Sequence, residues 1–97
     1  MFSTIPDEAM LQQTSWCTVR EQEERYLIYN PQTDELHLIP PSGFYTYKLC
    51  DGSRTVGDVR AVLVDQLLDD PSQIQGRLHR FLADLIERGI LEVARAS

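Results

Sequence analysis

The chain has 97 residues, a length that suits one domain with a single modest core. Apolar residues make up 42% of it and charged residues 25%, which is typical of a globular protein rather than a disordered segment. The formal net charge of −6 disfavours nucleic acid as a partner, because binding to phosphates needs a basic surface.

The sequence also argues against a membrane protein, an enzyme or a metal protein. No run of about 18 apolar residues is present, and residues 1–8 lack the features of a signal peptide, so we expect a cytoplasmic location and no membrane partner. Neither Cys17 nor Cys50 lies near a histidine at a ligand spacing, so we expect no metal. No catalytic residue set or phosphate loop is recognisable, so we expect neither catalysis nor a cofactor.

The first half of the chain is predicted to form strands. Residues 1–14 show no sustained period and are predicted to be a flexible N-terminal segment, which leaves residues 15–97 as the domain. A first strand is predicted at residues 16–20, and the polar residues 22–25 are predicted to form a turn. Further strands at residues 26–29 and 35–39 are joined by a connection short enough to predict an antiparallel hairpin.

The third predicted strand alternates in a way that assigns its faces. Period two places Leu36 and Leu38 on one face, and we expect that face to cover the helices, with contact to a ligand as the alternative. His37 and Ile39 would then face the other way. Pro40-Pro41 ends the strand, because proline has no backbone N–H to donate.

Three helices are predicted to follow. Ser42 is predicted to cap a helix over residues 43–50, which Asp51-Gly52 closes. Thr55 is predicted to cap the second helix, whose buried face comprises Val56, Val59, Leu63 and Leu67.

The third helix has the clearest sequence signals. Asp70 is the predicted cap, Pro71 the first helical residue and Gly89 the residue just past the end. Residues 90–93 are predicted to be either a short closing strand or an extended tail. The predicted core stripe of the helix comprises Ile74, Leu78, Phe81, Leu82, Leu85 and Ile86. Strands followed by helices indicate an α+β fold, a three-stranded antiparallel sheet followed by three helices, with at least one open sheet edge.

Four segments of the chain stand out, in the order Tyr26-Leu27-Ile28-Tyr29, Leu36-His37-Leu38-Ile39, Leu49-Cys50-Asp51-Gly52-Ser53-Arg54-Thr55-Val56 and residues 81–91. Through these segments, residues 25–93 resemble the PqqD-like family of RiPP recognition elements. Members of that family are peptide chaperones in the biosynthesis of ribosomally made peptide products. The family usually has an asparagine where this chain has Pro40, which alters the hydrogen bonding between the third strand and the first helix.

The resemblance implies a winged-helix-like domain that binds the leader segment of a precursor peptide. The leader would add to the free edge of the third strand, opposite the third helix, through backbone hydrogen bonds. The domain would then present the peptide to a separate maturation enzyme, such as a radical SAM enzyme, a leader peptidase or a cyclase. A homodimer is possible.

The candidate peptide-binding residues lie on those two elements: Leu36, His37, Leu38, Ile39, Ile74, Arg77, Arg80, Phe81 and Asp84. Arg77, Arg80 and Asp84 share one helix face, which is either a solvated face with an Arg80–Asp84 ion pair or a basic lip for leader carboxylates. Gly76 is either a tolerated helix glycine or a point of close approach for a peptide backbone.

Two other functions remain open from the sequence. A winged-helix DNA-binding protein would direct Arg77, His79 and Arg80 of the third helix into the major groove. The net charge of −6 disfavours this function. A generic adaptor would bind another protein through the same strand edge without any precursor peptide.

Overall fold

The computed structural model describes residues 5–67 and 71–94. In chain order its elements are β1 (Leu11–Gln13), β2 (Thr18–Gln22), β3 (Arg25–Asn30), β4 (Glu35–Ile39), α1 (Pro41–Leu49), α2 (Val56–Leu67), α3 (Pro71–Glu87) and β5 (Leu91–Val93). The predicted α+β class, with a three-stranded antiparallel sheet followed by three helices, is confirmed.

The main sheet has the order β2-β3-β4, and both pairings are antiparallel. The predicted hairpin is therefore confirmed as β3–β4. The strand predicted at residues 16–20 is observed as β2, at Thr18–Gln22. It extends past residue 20 because the turn that follows is shorter than the polar residues 22–25 suggested. Only Glu23 and Glu24 form it, both with positive φ (50° and 65°), which is the backbone of a two-residue hairpin turn.

A second sheet, which the sequence did not predict, joins the two ends of the domain. β1 pairs antiparallel with β5, and Leu11 is 1% exposed. Residues 90–93 thus contain a closing strand rather than an extended tail. The domain boundary at residue 15 and the flexibility of the segment before it stay predictions, although part of that segment is paired.

The same N-terminal segment also closes the start of α2. The amides of Val56 and Gly57 donate to the carbonyls of Ala9 and Asp7, at 2.8 and 2.9 Å. These are donors that a helix start leaves without an intrahelical partner. The carboxylate of Asp7 also accepts two hydrogen bonds from Arg60, which hold the pKa of Asp7 below its usual value.

Local capping signals agree with the structure at the start of α2 and at the end of α3. Thr55 caps α2 as predicted, in a reciprocal arrangement in which Thr55 and Asp58 each donate a backbone amide to the other's side chain. After α3, Gly89 has φ +74°, and the amides of Gly89 and Ile90 donate to the carbonyls of Ile86 and Leu85.

The start of α1 differs from the prediction. The N-cap residue is Pro40 rather than Ser42, and Pro41 is the first helical residue. A proline fits that position because its missing N–H would have no helical partner there. The predicted cap Asp70 and the side chain of Leu67 lie outside the described residues.

The core lies between the helices and one face of the main sheet. Ile28 and Leu82 are fully buried, and the ring of Tyr26 stacks on that of Phe44, with the ring centroids 4.0 Å apart. Cys50 is 1% exposed, which confirms it as a buried hydrophobe. No helix in the described part of the chain is long and apolar enough to cross a membrane.

Candidate functional site

β4 is an edge strand, and its two faces are the reverse of the prediction. Within the described residues it pairs with β3 alone. His37 and Ile39 are 5% and 6% exposed and face the core, whereas Leu36 and Leu38 are both 61% exposed on the other face. The expectation that Leu36 and Leu38 cover the helices is wrong. Period two shows which residues share a face, but tertiary packing decides which face the helices cover.

The burial of His37 has a specific cause at the end of α3. Arg88 extends its guanidinium to His37, with Nη1 2.7 Å from Nδ1. Since a guanidinium only donates hydrogen bonds, Nδ1 is the acceptor and the ring proton lies on Nε2. Nε2 is buried and has no hydrogen-bond partner among the described residues. The Arg88–His37 contact therefore fastens the middle of β4 to the C-terminal end of α3.

The partner of Asp84 also differs from the prediction. Arg88 Nε lies 3.0 Å from the Asp84 carboxylate, whereas Arg80 Nε donates to the Gly76 carbonyl at 3.4 Å. The predicted Arg80–Asp84 ion pair is therefore wrong. Arg88 is four residues beyond Asp84, just as Asp84 is four beyond Arg80, so spacing alone did not choose between the two arginines. The buried His37, which also accepts from Arg88, favours the observed pair.

The other end of β4 meets α3 through Gly43 of α1. A Cβ atom at Gly43 would lie 3.0 Å from Cζ of Phe81 and 3.1 Å from Cγ2 of Ile39. α1 thus comes close enough to bring the end of β4 and the middle of α3 together. Ile39 at the end of β4 and Phe81 of α3 therefore both lie against the backbone of α1 at Gly43.

A cavity of about 220 Å³ opens between the three helices, beside Pro40 at the end of β4. Its walls are mostly apolar, and Ile74, Leu78 and Phe81 of α3 face Leu63 of α2 across it. Arg77 also lines the cavity and is exposed to solvent. Pro40, Ser42, Gly43 and Thr46 complete the lining. The cavity can therefore take an apolar side chain, with a guanidinium beside it.

The structure brings together most, but not all, of the predicted site residues. Phe81, Ile74 and Arg77 line the cavity, and Ile39 lies beside Phe81 against Gly43. Asp84 and Arg80 are exposed farther along α3, and His37 is enclosed by Arg88. Leu36 and Leu38 lie on the opposite face of the sheet.

Sequence reasoning missed three residues of the site. Gly43 and Asn30 position it, and Arg88 holds β4 against α3; the Asn30 amide donates to the Arg88 carbonyl at 2.7 Å. The only advance signal was the Asp84–Arg88 spacing on the helix. The contacts of Gly43 and Asn30 are long-range and leave no local pattern.

One feature bears on the alternative reading of α3 as a DNA-recognition helix. That reading needs His79 to reach base edges, but His79 is half-buried and its Nε2 has no solvent exposure. Nε2 of His79 is therefore not accessible to a base edge.

Comparison with sequence models of known families gives a match. Residues 25–91 match the sequence model of the family described as coenzyme PQQ synthesis protein D (PqqD). No significant match is found among curated proteins.

Two solved structures share the fold. TbiB1, in a structure with the TbiA(beta) leader peptide, superposes with a TM-score of 0.74 at 14% identity, over 89% of this chain and 99% of TbiB1. The PqqD truncation of Methylobacterium extorquens PqqCD, a stand-alone RiPP recognition element, gives a TM-score of 0.69 at 21% identity, over 84% of this chain and 87% of the other. At these identities the two similarities establish the fold.

Proposed function

The chain belongs to the PqqD family, and on that premise we propose that it binds the leader segment of a ribosomally made precursor peptide, in extended form, between the edge of β4 and α3. Two observations support the proposal: one edge of β4 has no strand partner among the described residues, and an apolar cavity walled by α3 opens beside Pro40, just past the end of β4. We call the space between that edge and α3 the groove. The solved neighbour TbiB1 is in complex with a leader peptide, which supports this class of ligand.

The strand edge supplies the affinity that does not depend on side chains. An edge strand presents a row of N–H and C=O groups with no partner on one side, and an extended peptide satisfies them as an added strand. Pro40 limits the length of this ladder, because it has no amide proton to donate. We therefore assign the backbone contacts to residues 36–39.

The groove and cavity supply selectivity. Alternate side chains of an added strand point to the same face, so every second residue of the leader would face Ile39, Phe81 and the cavity. An apolar leader side chain fits the cavity, because Ile74 and Leu63 line it. A neighbouring leader carboxylate would lie near Arg77 and Arg80, the basic lip. This selectivity is the difference between the proposal and a generic adaptor.

The proposed role is recognition without chemistry. The domain binds the leader, and a separate modifying enzyme, such as a radical SAM enzyme, a leader peptidase or a cyclase, acts on the presented peptide. The description of the M. extorquens relative as a stand-alone recognition element supports this division of labour. A cytoplasmic location and the absence of a cofactor stay predictions.

Amide hydrogen exchange with a leader peptide tests the proposal. The probe is a synthetic peptide with the leader sequence of the precursor encoded beside the gene, and a scrambled peptide of the same composition is the control. We expect the leader alone to slow exchange along residues 36–39 and around Phe81, and to leave β2, the other sheet edge, unchanged. Protection at β2 instead of β4, or equal binding of the scrambled peptide, would contradict the proposed site.

A further inference from the structure

The main sheet has a second face that the fold leaves uncovered. The cross-strand register places Arg20, Leu27 and Leu38 side by side in one row, and Tyr29 and Leu36 side by side in the next. Arg25 lies on the same face of β3, beyond Leu27. We call these six residues the outer sheet face. Rows on one face of a strand are about 7 Å apart and neighbouring strands about 5 Å apart, so the six side chains form one continuous patch.

The exposure of this patch is unusual for its composition. Leu36 and Leu38 are 61% exposed and Tyr29 is 37% exposed, although all three are large apolar residues. The helices pack on the opposite face, against Ile28 and His37. Scattered exposed leucines are ordinary, but a contiguous apolar patch rimmed by polar groups marks an interaction surface. Tyrosine and arginine within it are residue types enriched in protein interfaces.

The charge of the patch is opposite to that of the protein. Arg20 and Arg25 are both exposed on it, in a chain of net charge −6. The glutamates of the same strands, Glu21 and Glu35, alternate to the other face. Two loop carboxylates border the patch at its ends. Glu23 lies in the β2–β3 turn, and Asp34 accepts a hydrogen bond from Tyr29. The centre of the patch is therefore apolar and cationic.

We propose that the outer sheet face docks the modifying enzyme, through an apolar surface on that enzyme that carries carboxylates opposite Arg20 and Arg25. The proposal rests on the proposed function, because it assumes that a separate enzyme receives the leader. Charge complementarity selects the partner. An acidic rim would pair with the two arginines, and the apolar centre would bury Leu36 and Leu38.

A second copy of this chain is a poorer occupant. In a face-to-face dimer built on this patch, the arginines of one copy would find no carboxylate within the patch of the other, because the neighbouring carboxylates, Glu23 and Asp34, lie only at its ends. Burying a charge without a partner costs several kcal/mol. The observed arrangement therefore favours a different, acidic protein over self-association.

The position of the patch also connects docking with leader binding. A leader strand added to β4 would become the fourth strand of the same sheet, and its outward side chains would continue the outer sheet face next to Leu36 and Leu38. An enzyme seated on this face would contact the domain and the leader at once. We therefore expect the leader to strengthen enzyme binding.

Surface-immobilised binding measurements test the proposal with two pairs of substitutions. The probe is the purified modifying enzyme encoded beside the gene, titrated against wild type, Leu36→Thr/Leu38→Thr and Arg20→Glu/Arg25→Glu. Threonine keeps a high strand propensity, so the first variant removes apolar surface with little effect on the fold. Tyr45→Thr on α1, where the tyrosine is 41% exposed, is the matched control for loss of exposed apolar area.

We expect both double variants to bind the enzyme at least tenfold more weakly than wild type, and Tyr45→Thr to bind it normally. Leader affinity of the Arg20→Glu/Arg25→Glu variant, whose residues lie outside β4 and α3, should stay within about threefold of wild type in fluorescence anisotropy, which separates this surface from the leader site. Failure of wild type to bind the enzyme, or unchanged enzyme binding in both folded variants, would overturn the docking surface. Failure of wild type to bind the leader would instead count against the proposed function.

Discussion

At the scale of single residues, Gly43 is a helix position at which the fold leaves little room for a side chain. Three elements meet there, because the position of its missing Cβ lies 3.0 Å from Phe81 and 3.1 Å from Ile39. Gly76 is the opposite case. It lies within α3, and a Cβ there would meet nothing within 4 Å. The two glycines thus form a natural pair for measuring what close packing requires.

We predict that Gly76→Ala raises the free energy of unfolding by about 0.5–1 kcal/mol, since alanine is the better helix former and the space is open. The free energy of unfolding of Gly43→Ala should be lower than that of Gly76→Ala by about 1 kcal/mol or more, because Phe81 or Ile39 must move. Chemical denaturation of both variants measures the difference. Equal gains in stability would show that the three elements are not in contact at Gly43.

Leu85 and Phe81 have different roles, although both belong to the predicted core stripe of α3. Leu85 is 1% exposed, whereas Phe81 is half-buried and lines the cavity. We expect Leu85→Ala to destabilise the fold by about 2–5 kcal/mol, and Phe81→Ala to cost less stability but more leader affinity. Denaturation midpoints and leader titrations of the two variants check this. If Phe81→Ala lost more stability and less leader affinity than Leu85→Ala, Phe81 would have no role in leader binding.

At the scale of elements, the sequence predicts what is local and misses what is long-range. The cap at Thr55 and the end of α3 at Gly89 involve residues within a few positions of one another, so both could be predicted. Which face of β4 is buried depends on Arg88, far away in sequence, and was predicted wrongly. The alternation of apolar and polar residues predicted that Leu36 and Leu38 face the core. The prediction failed because the polar residue His37 is buried there instead.

Helix α3 carries Arg77 and Arg80, the proposed basic lip, and a double substitution can isolate their contribution to the proposed leader binding. We predict that Arg77→Glu/Arg80→Glu weakens leader binding at least tenfold, about 1.4 kcal/mol, because it repels leader carboxylates. Both side chains are exposed, so stability should change by only about 0.5 kcal/mol. Isothermal titration calorimetry measures the affinity.

The matched control is Arg20→Glu/Arg25→Glu, which changes the net charge by the same amount on the outer sheet face. If it weakens leader binding as much as the α3 variant does, the effect is one of overall charge and the lip has no specific role. Unchanged affinity in the folded α3 variant would leave the strand edge and the cavity as the sources of binding.

At the scale of the whole molecule, the core includes a thiol whose ionisation opposes folding. Burial raises the pKa of Cys50 to about 11, from an ordinary value near 9. The folded protein therefore holds the thiol proton more tightly than the unfolded chain does. This contribution to stability is fully present below about pH 9 and is lost as the pH rises towards 11.

We predict that wild type loses about 2 kcal/mol more stability than Cys50→Ala between pH 8 and pH 11, since one pKa unit corresponds to about 1.4 kcal/mol. Burial also raises the pKa of Tyr47, but that residue is common to both proteins and cancels in the comparison. Denaturant titrations at several pH values measure the two curves. Parallel curves would mean that the thiolate is accommodated in the fold.

The sheet formed by β1 and β5 is the part of the whole fold that sequence reasoning missed. Its strands are three residues long, too short for a period to show, and its partners come from the two ends of the domain. Leu11 alone gave no signal, because one buried leucine beside two glutamines resembles a surface segment. The hairpin β3–β4 could be predicted because its strands are longer and the connection between them is short.

The β1–β5 pairing has a geometrical consequence for protein engineering. The amide of Ala94 donates to the carbonyl of Met10 at 2.7 Å, so the first and last strands of the domain bring these two residues together. A unit whose two attachment points are close can be spliced into a surface loop of a host protein without forcing that loop apart. A cassette for grafting would also keep residues 5–9, because the carbonyls of Asp7 and Ala9 close the start of α2, and it would transfer the proposed leader recognition to an enzyme that lacks it.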